Sequence, residues 1–188
     1  MVAKQRKDMR LDRTRMLIIS TMFRLLSETT FEQISVNDIC VAASVSRTTF
    51  YFHFEDKYHL VMECMAEFKR SLDDATKGGD FPSVVEGMIS AIEEEQAVFR
   101  NLFTGKENRE LETMLLEFLI DQCTEVLEQQ RSLGVVFSVP LHVISLYASC
   151  GMAGLIVRWV TGRLPMPKAE LIRCLVEMGR VDPFSAYK

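Results

Sequence analysis

The sequence predicts an all-α chain of about nine helices, and three observations carry that reading. Residues 107–131 hold Leu111, Met114, Leu115, Phe118 and Leu119, with Val126 and Leu127 beyond them, at the three-and-four spacing of one wide helical stripe. Ser35 and Ser46 each stand directly before a short segment with helix-start chemistry. Strict apolar and polar alternation between turn residues, the mark of half-buried strands, finds little support.

Taken in order, the first helix is expected from about Asp12 to Ser27, where Ile18, Met22, Leu25 and Leu26 follow the i, i+4, i+7, i+8 rule. Phe31 and Ile34 then pin the connection to a small core. Ser35 can cap a helix to about Ala43, because its hydroxyl can accept from the Asp38 amide while the Asp38 carboxylate suits the helix N-terminus. After a turn of Ser44 and Val45, with Val45 as its apolar plug, Ser46 can cap a second helix from Arg47 to His53. Two helices so closely joined form a helix-turn-helix. Asp56 can cap a fourth helix, Lys57 to about Thr76, which carries Leu60, Val61, Cys64, Met65 and Phe68 toward a core and stops at Gly78-Gly79-Asp80. Beyond Pro82 follow a helix from about Ser83 to Gln96, a short apolar turn from Val98 to Phe103, a long helix from about Glu107 to Arg131, a helix from about Pro140 to Thr161, and a last one from Lys168 to Met178.

The helix after Ser46 divides into two faces. Phe50 and Phe54, at i and i+4, point inward, whereas Arg47, Thr48, Tyr51 and Phe52 share the opposite face. A guanidinium can grip guanine O6 and N7, and phenyl and threonine methyl groups can touch a thymine methyl, so this face suits a major groove. Tyr51, His53 and Lys57 carry donors for phosphate oxygens, which set register rather than sequence. An exposed aromatic edge also marks protein contacts, and that reading stays open on composition alone.

The net charge of −4 argues against nucleic acid until its distribution is read. Residues 1–15 hold six basic residues (Lys4, Arg6, Lys7, Arg10, Arg13, Arg15) against Asp8 and Asp12, whereas everything after Leu60 holds 13 basic and 19 acidic residues. One basic end on an acidic chain is the pattern of a protein that presents that end to a polyanion. A basic arm of this kind is expected to be disordered when free and held on phosphates in a complex. Five widely spaced cysteines with no Cys-x-x-Cys pair argue against a disulfide framework or a zinc site. Three histidines, no His-Glu-x-x-His, no phosphate-cradling glycine loop and no Gly-x-Ser-x-Gly speak against an enzyme, and no cofactor or metal is expected. Charges follow Met1, so no signal peptide opens the sequence and a cytoplasmic location is expected. Val139 to Val157 is 19 residues without a formal charge, close to the length of a membrane span. Pro140, His142, Ser145 and Ser149 favour instead a helix buried between its own core and a second subunit.

The run Ser-Val-x-Asp-Ile-x-x-x-Ala-x-Val-Ser-Arg-Thr-Thr-Phe-Tyr-x-His-Phe-x-Asp-Lys-x-x-Leu, beginning at Ser35, resembles the DNA-binding domain of the TetR/AcrR family of transcriptional regulators. The segment Gly-Met-Ala-Gly-Leu-Ile-Val-Arg-Trp-Val, with Gly162 and Ala-Glu-Leu after it, resembles the C-terminal part of one subgroup. The resemblance implies a basic arm and three-helix DNA-binding domain over residues 1–56, and a helical ligand-sensing and dimerisation domain over residues 57–188. It adds Ser46 and Thr49 to the DNA-contacting set of Arg47, Thr48, Tyr51, Phe52, His53 and Lys57. It implies a pocket for an apolar or amphipathic effector among Met65, Phe68, Phe99, Phe103, Met114 and Phe118. It also implies a homodimer, for which Ala148, Gly151, Gly154 and Leu155, with Leu171 and Leu175, would supply close helix packing, packing within one chain being the other use of such small residues. The partners so expected are an inverted-repeat operator, a second copy and a small molecule, with no membrane. A repressor released by its ligand is the leading expectation, beside an activator or a coregulator acting through protein partners. Ser44 stands where the family has the turn glycine and Thr30 where a glycine follows the first helix, so positive φ at either would be strained.

Overall fold

The computed structural model describes residues 2–75, 81–105 and 109–180, and among them it contains nine α-helices, one 3-10 turn and no strand. The expected stop at Gly78-Gly79-Asp80 and the expected helix start at Glu107 lie outside the described residues. The chain forms two compact units, residues 1–75 with 95–108, and residues 76–94 with 109–188.

The first unit is built on α1 (Val2–Glu28), against which α2 (Val36–Ala42), α4 (Lys57–Ala75) and α6 (Gln96–Phe103) all pack, with α3 (Arg47–His53) carried on α2. Its core is Ile18, Ile19, Met22 and Leu26 from α1, Phe31 and Ile34 from the connection, Ile39, Phe50 and Phe54, and Leu60, Val61 and Cys64 from α4. Helix α1 begins well before the expected Asp12, so the backbone of the basic arm is helical rather than a disordered tail. Once a helix is nucleated each further residue adds a hydrogen bond, and Lys, Arg, Met and Ala are good helix formers, so the arm prolongs it. The apolar stretch expected as a turn, residues 98–103, is likewise helical: Val98, Phe99 and Leu102 are buried on one side of α6, and Asn101 Nδ2 donates to the Leu26 carbonyl at 2.8 Å near the end of α1. That amide satisfies a carbonyl with no partner in its own helix.

The second unit pairs α5 (Phe81–Glu94) with α9 (Lys168–Arg180), and α7 (Arg109–Ser132) with α8 (Leu141–Val160). Val85, Ile89 and Ile92 of α5 and Leu171, Leu175 and Val176 of α9 are buried, and Lys168 Nζ meets Glu93 Oε2 at 2.8 Å beside them. Helix α8 is long and apolar enough to cross a membrane by length and composition. Within a single chain it is buried on one side only. One face, with Ile144, Ser145 and Ser149, is buried, and Thr124 and Ser145 bring their hydroxyl oxygens to 2.7 Å. The other face leaves Val143, Leu146 and Tyr147 in solvent.

Candidate nucleic-acid interface

Local sequence builds the recognition element with side-chain caps at both of its starts. Ser35 and Asp38 form a full capping box, in which the Asp38 amide donates to Ser35 Oγ at 3.2 Å and the Ser35 amide donates to Asp38 Oδ2 at 2.9 Å. The Ser35 hydroxyl also donates to Asp38 Oδ2, and this bond first, with the Ser35 amide next, holds the Asp38 carboxyl below its ordinary range. Helix α2 then ends in a Schellman motif: the Val45 amide donates to Cys40 O at 3.0 Å and the Ser44 amide to Val41 O at 3.1 Å, with Ser44 in the left-handed region at φ 54°. Thr30, by contrast, has φ −73° and carries no such strain. Val45 is half-buried, as a turn plug should be. Ser46 caps α3 by accepting from the Thr49 amide at 3.0 Å, and the two hydroxyls lie 2.8 Å apart. Ser46 and Thr49 therefore hold the start of the helix.

The two faces of α3 separate as the spacing requires. Phe50 and Phe54 are fully buried with ring centroids 5.7 Å apart, while Arg47 and Thr48 are exposed, and Tyr51 and Phe52 keep 49% and 68% of their surface in solvent. Arg47 reaches Tyr51 at 3.5 Å and its guanidinium carbon lies 5.9 Å from that ring. This pairing keeps the guanidinium extended along the exposed face. At the end of α2 Val41 is also exposed, at 71%, an apolar residue that spacing alone did not single out.

Two of the expected phosphate donors are half-buried. His53 is half-buried, and its Nε2 has no hydrogen-bond partner among the described residues. Burial pushes its pKa down, Arg15 adds to that, and Asp12 opposes it. Lys57 is not an open surface cation: its Nζ donates to the carbonyls of Phe31, Glu32 and Ile34 and lies over the Phe31 ring. Arg15, counted with the basic arm in the sequence, is bound to Glu63 of α4, whose other carboxylate oxygen lies 3.7 Å from His59 Nε2. A carboxylate beyond the next helix carries no signal in local spacing, which is why that link was not legible.

The other expected site residues fall as follows. Met65 and Phe99 are buried in the first unit, Phe103 is half-buried there, and Phe68 meets Phe99 edge to face at 5.1 Å. Met114 and Phe118 are half-buried on α7 and belong to the second unit. A concavity of about 560 Å³ lies at the α7–α8 connection, lined by Arg131 and residues 134–141, and includes none of these six. On α8, Gly151 and Gly154 are exposed with open space around them, and Ala148 and Leu155 are half-buried. Leu171 and Leu175 do not belong to a free surface. They are buried within the chain as the inward face of α9, whose exposed side includes Met178.

Comparison with known proteins agrees with this architecture. The family model for bacterial regulatory proteins of the tetR family matches residues 18–64, and a TetR-type transcriptional regulator C-terminal region matches residues 80–180. Comparison with curated proteins finds no match. Among solved structures, a putative TetR-family regulator from Syntrophomonas wolfei is similar with TM-score 0.69 and 16% identity, over 90% of this chain and 94% of that one. A TetR regulator from Streptococcus agalactiae has TM-score 0.61 and 20% identity, over 93% and 98%. The dihydroxyacetone kinase operon activator DhaS has TM-score 0.56 and 16% identity, over 92% and 98%. At these identities the likeness to solved structures is one of fold, but the two family models span both the helix-turn-helix and the helices after α4, and on that ground the chain belongs to the TetR family of DNA-binding transcriptional regulators.

Proposed function

We propose that this chain is a repressor that binds an inverted-repeat operator as a homodimer and is released by a small apolar or amphipathic effector. The observation that carries the DNA half is the exposed face of Arg47, Thr48, Tyr51 and Phe52 on a helix whose opposite face is locked by Phe50 and Phe54. That face holds a bidentate donor for guanine beside apolar groups for thymine methyls. The dimer half is supported by the exposed apolar side of α8, where Val143, Leu146, Tyr147, Gly151 and Gly154 follow one another at helical spacing. The effector half is supported by Phe68 and Phe99 beside Met65, which lie on or against α4, the helix that starts where the recognition element ends.

An activator is the second reading, favoured by the fold it shares with the operon activator DhaS. Repressor and activator are told apart by mapping the bound site against the promoter. The reading as a whole is tested by gel shift and footprinting on the DNA flanking the gene. Two recognition helices on one face of B-DNA require half-sites about 34–36 Å apart in an inverted repeat. A single unrepeated footprint would remove the dimer from the reading. Arg47→Ala is expected to weaken operator binding by about 1–3 kcal/mol and to relax preference at one base pair per half-site. Unchanged affinity and preference would take Arg47 off the reading face.

A further inference from the structure

Lys57 is the first residue of α4, a position where helix electrostatics favour an anion. Its side chain instead turns back onto the 3-10 turn Phe31–Gln33. The ammonium donates to Phe31 O at 2.9 Å, Ile34 O at 2.9 Å and Glu32 O at 3.4 Å, and sits 4.4 Å from the centroid of the Phe31 ring. An ammonium has three donors, and here three backbone carbonyls converge on it. Ile34, the last of them, directly precedes Ser35, the cap of α2. Phe31 and Ile34 are themselves buried, so the turn that holds the ammonium is fixed from below. Desolvation pushes the Lys57 pKa down and the Glu32 charge opposes this, in keeping with a cation drawn off the surface.

We propose that Lys57 is a positioning residue, which fastens the first turn of α4 to the backbone that aims α2 and the recognition helix, and that it does not neutralise an operator phosphate. For a phosphate contact the ammonium would have to leave three carbonyls and the ring together. Held in place, it makes the start of α4 and the cap of α2 move as one piece. The DNA arm of the test rests on the regulator reading above; the exchange arm does not.

Two variants separate the roles. Lys57→Met keeps the apolar stem over Phe31 and deletes the donors; Lys57→Arg keeps the charge but offers a planar fork that cannot meet three carbonyls at one point. Both are expected to bind the footprinted operator duplex about tenfold more weakly, with the slope of log K against log salt unchanged. In the free protein, the amides of Ile39, Ala43 and Phe50 should exchange faster in both variants, while those of Leu171 and Leu175 keep their wild-type rates. Full recovery of binding by Lys57→Arg, together with a slope reduced by about one per subunit in Lys57→Met, would mean a phosphate contact and overturn the proposal. If the wild-type chain binds no duplex, the regulator reading fails, and exchange alone decides: unchanged rates at Ile39, Ala43 and Phe50 overturn the pin. If Lys57→Met does not fold, the wild-type ammonium decides by nitrogen-15 NMR, since a hydrogen-bonded group gives a slowly exchanging signal and a freely solvated one does not.

Discussion

Ser44 is the only non-glycine residue with positive φ among the described residues, and its position shows why. The same Schellman geometry ends α7, where Gly134 takes φ 94°, its amide donates to Arg131 O at 3.0 Å and the Val135 amide donates to Gln130 O at 3.1 Å. Glycine adopts this conformation without cost, whereas an L-residue there loses roughly 1–2 kcal/mol to the contact of Cβ with the carbonyl. Glycine also gives the unfolded chain more freedom, which offsets about 0.4–1 kcal/mol of the relief. Ser44→Gly is therefore expected to stabilise the protein by up to about 1 kcal/mol, read as a higher denaturant midpoint at constant slope. A lower midpoint would show that the serine is compensated locally. His53 supplies a pH dependence of definite sign. Because burial lowers its pKa, the native state binds fewer protons than the unfolded state below the ordinary imidazole value of about 6.5. Stability from this group is thus level above that pH and falls as pH drops through it. Melting temperature should decline less between pH 7.5 and 5.5 in His53→Gln than in the wild type, and equal declines would assign the effect to other groups.

At the scale of elements, α8 separates what periodicity can and cannot say. An uncharged run of this length reads as buried all round, yet a single chain buries only the side with Ile144, Ser145 and Ser149. The Ser145 and Ser149 hydroxyls that weakened a membrane reading lie inward, where Ser145 accepts from Thr124 of α7 and donates to Leu141 O at 2.9 Å. What remains outward is Val143, Leu146, Tyr147, Gly151 and Gly154, and beyond the local backbone of α8 no atom of the described residues comes within 4 Å of where a Cβ would stand on either glycine. A side chain added at Gly154 starts in open space among the described residues, and Gly154→Arg even favours the helix, since glycine is the worse helix former by roughly 0.5–1 kcal/mol. Any loss must arise at a surface outside the chain. Sedimentation is expected to show a folded monomer with weak operator binding, and an intact mutant dimer would put the seam elsewhere.

At the scale of the molecule, the sequence by itself determined the all-α class, the helix-turn-helix and its caps, and the division of α3 into a locked face and a reading face. These are local: a cap needs a hydroxyl before a helix start, and a helical face needs only residues at three and four. Ser35, Asp38, Ser46, Phe50 and Phe54 stand where that chemistry put them. Charge placement also survives, since the basic residues of 1–15 precede the reading helix on the same compact unit. Tertiary structure decided what depends on partners distant in sequence. It took Lys57 onto the carbonyls of Phe31 and Ile34, Arg15 onto Glu63, and Asn101 onto Leu26. It turned Leu171 and Leu175 inward and drew α6 into the first unit. The same Lys that suits a phosphate suits three converging carbonyls equally well, and only the folded path of the backbone, which brings those carbonyls within 3.4 Å, chooses between them.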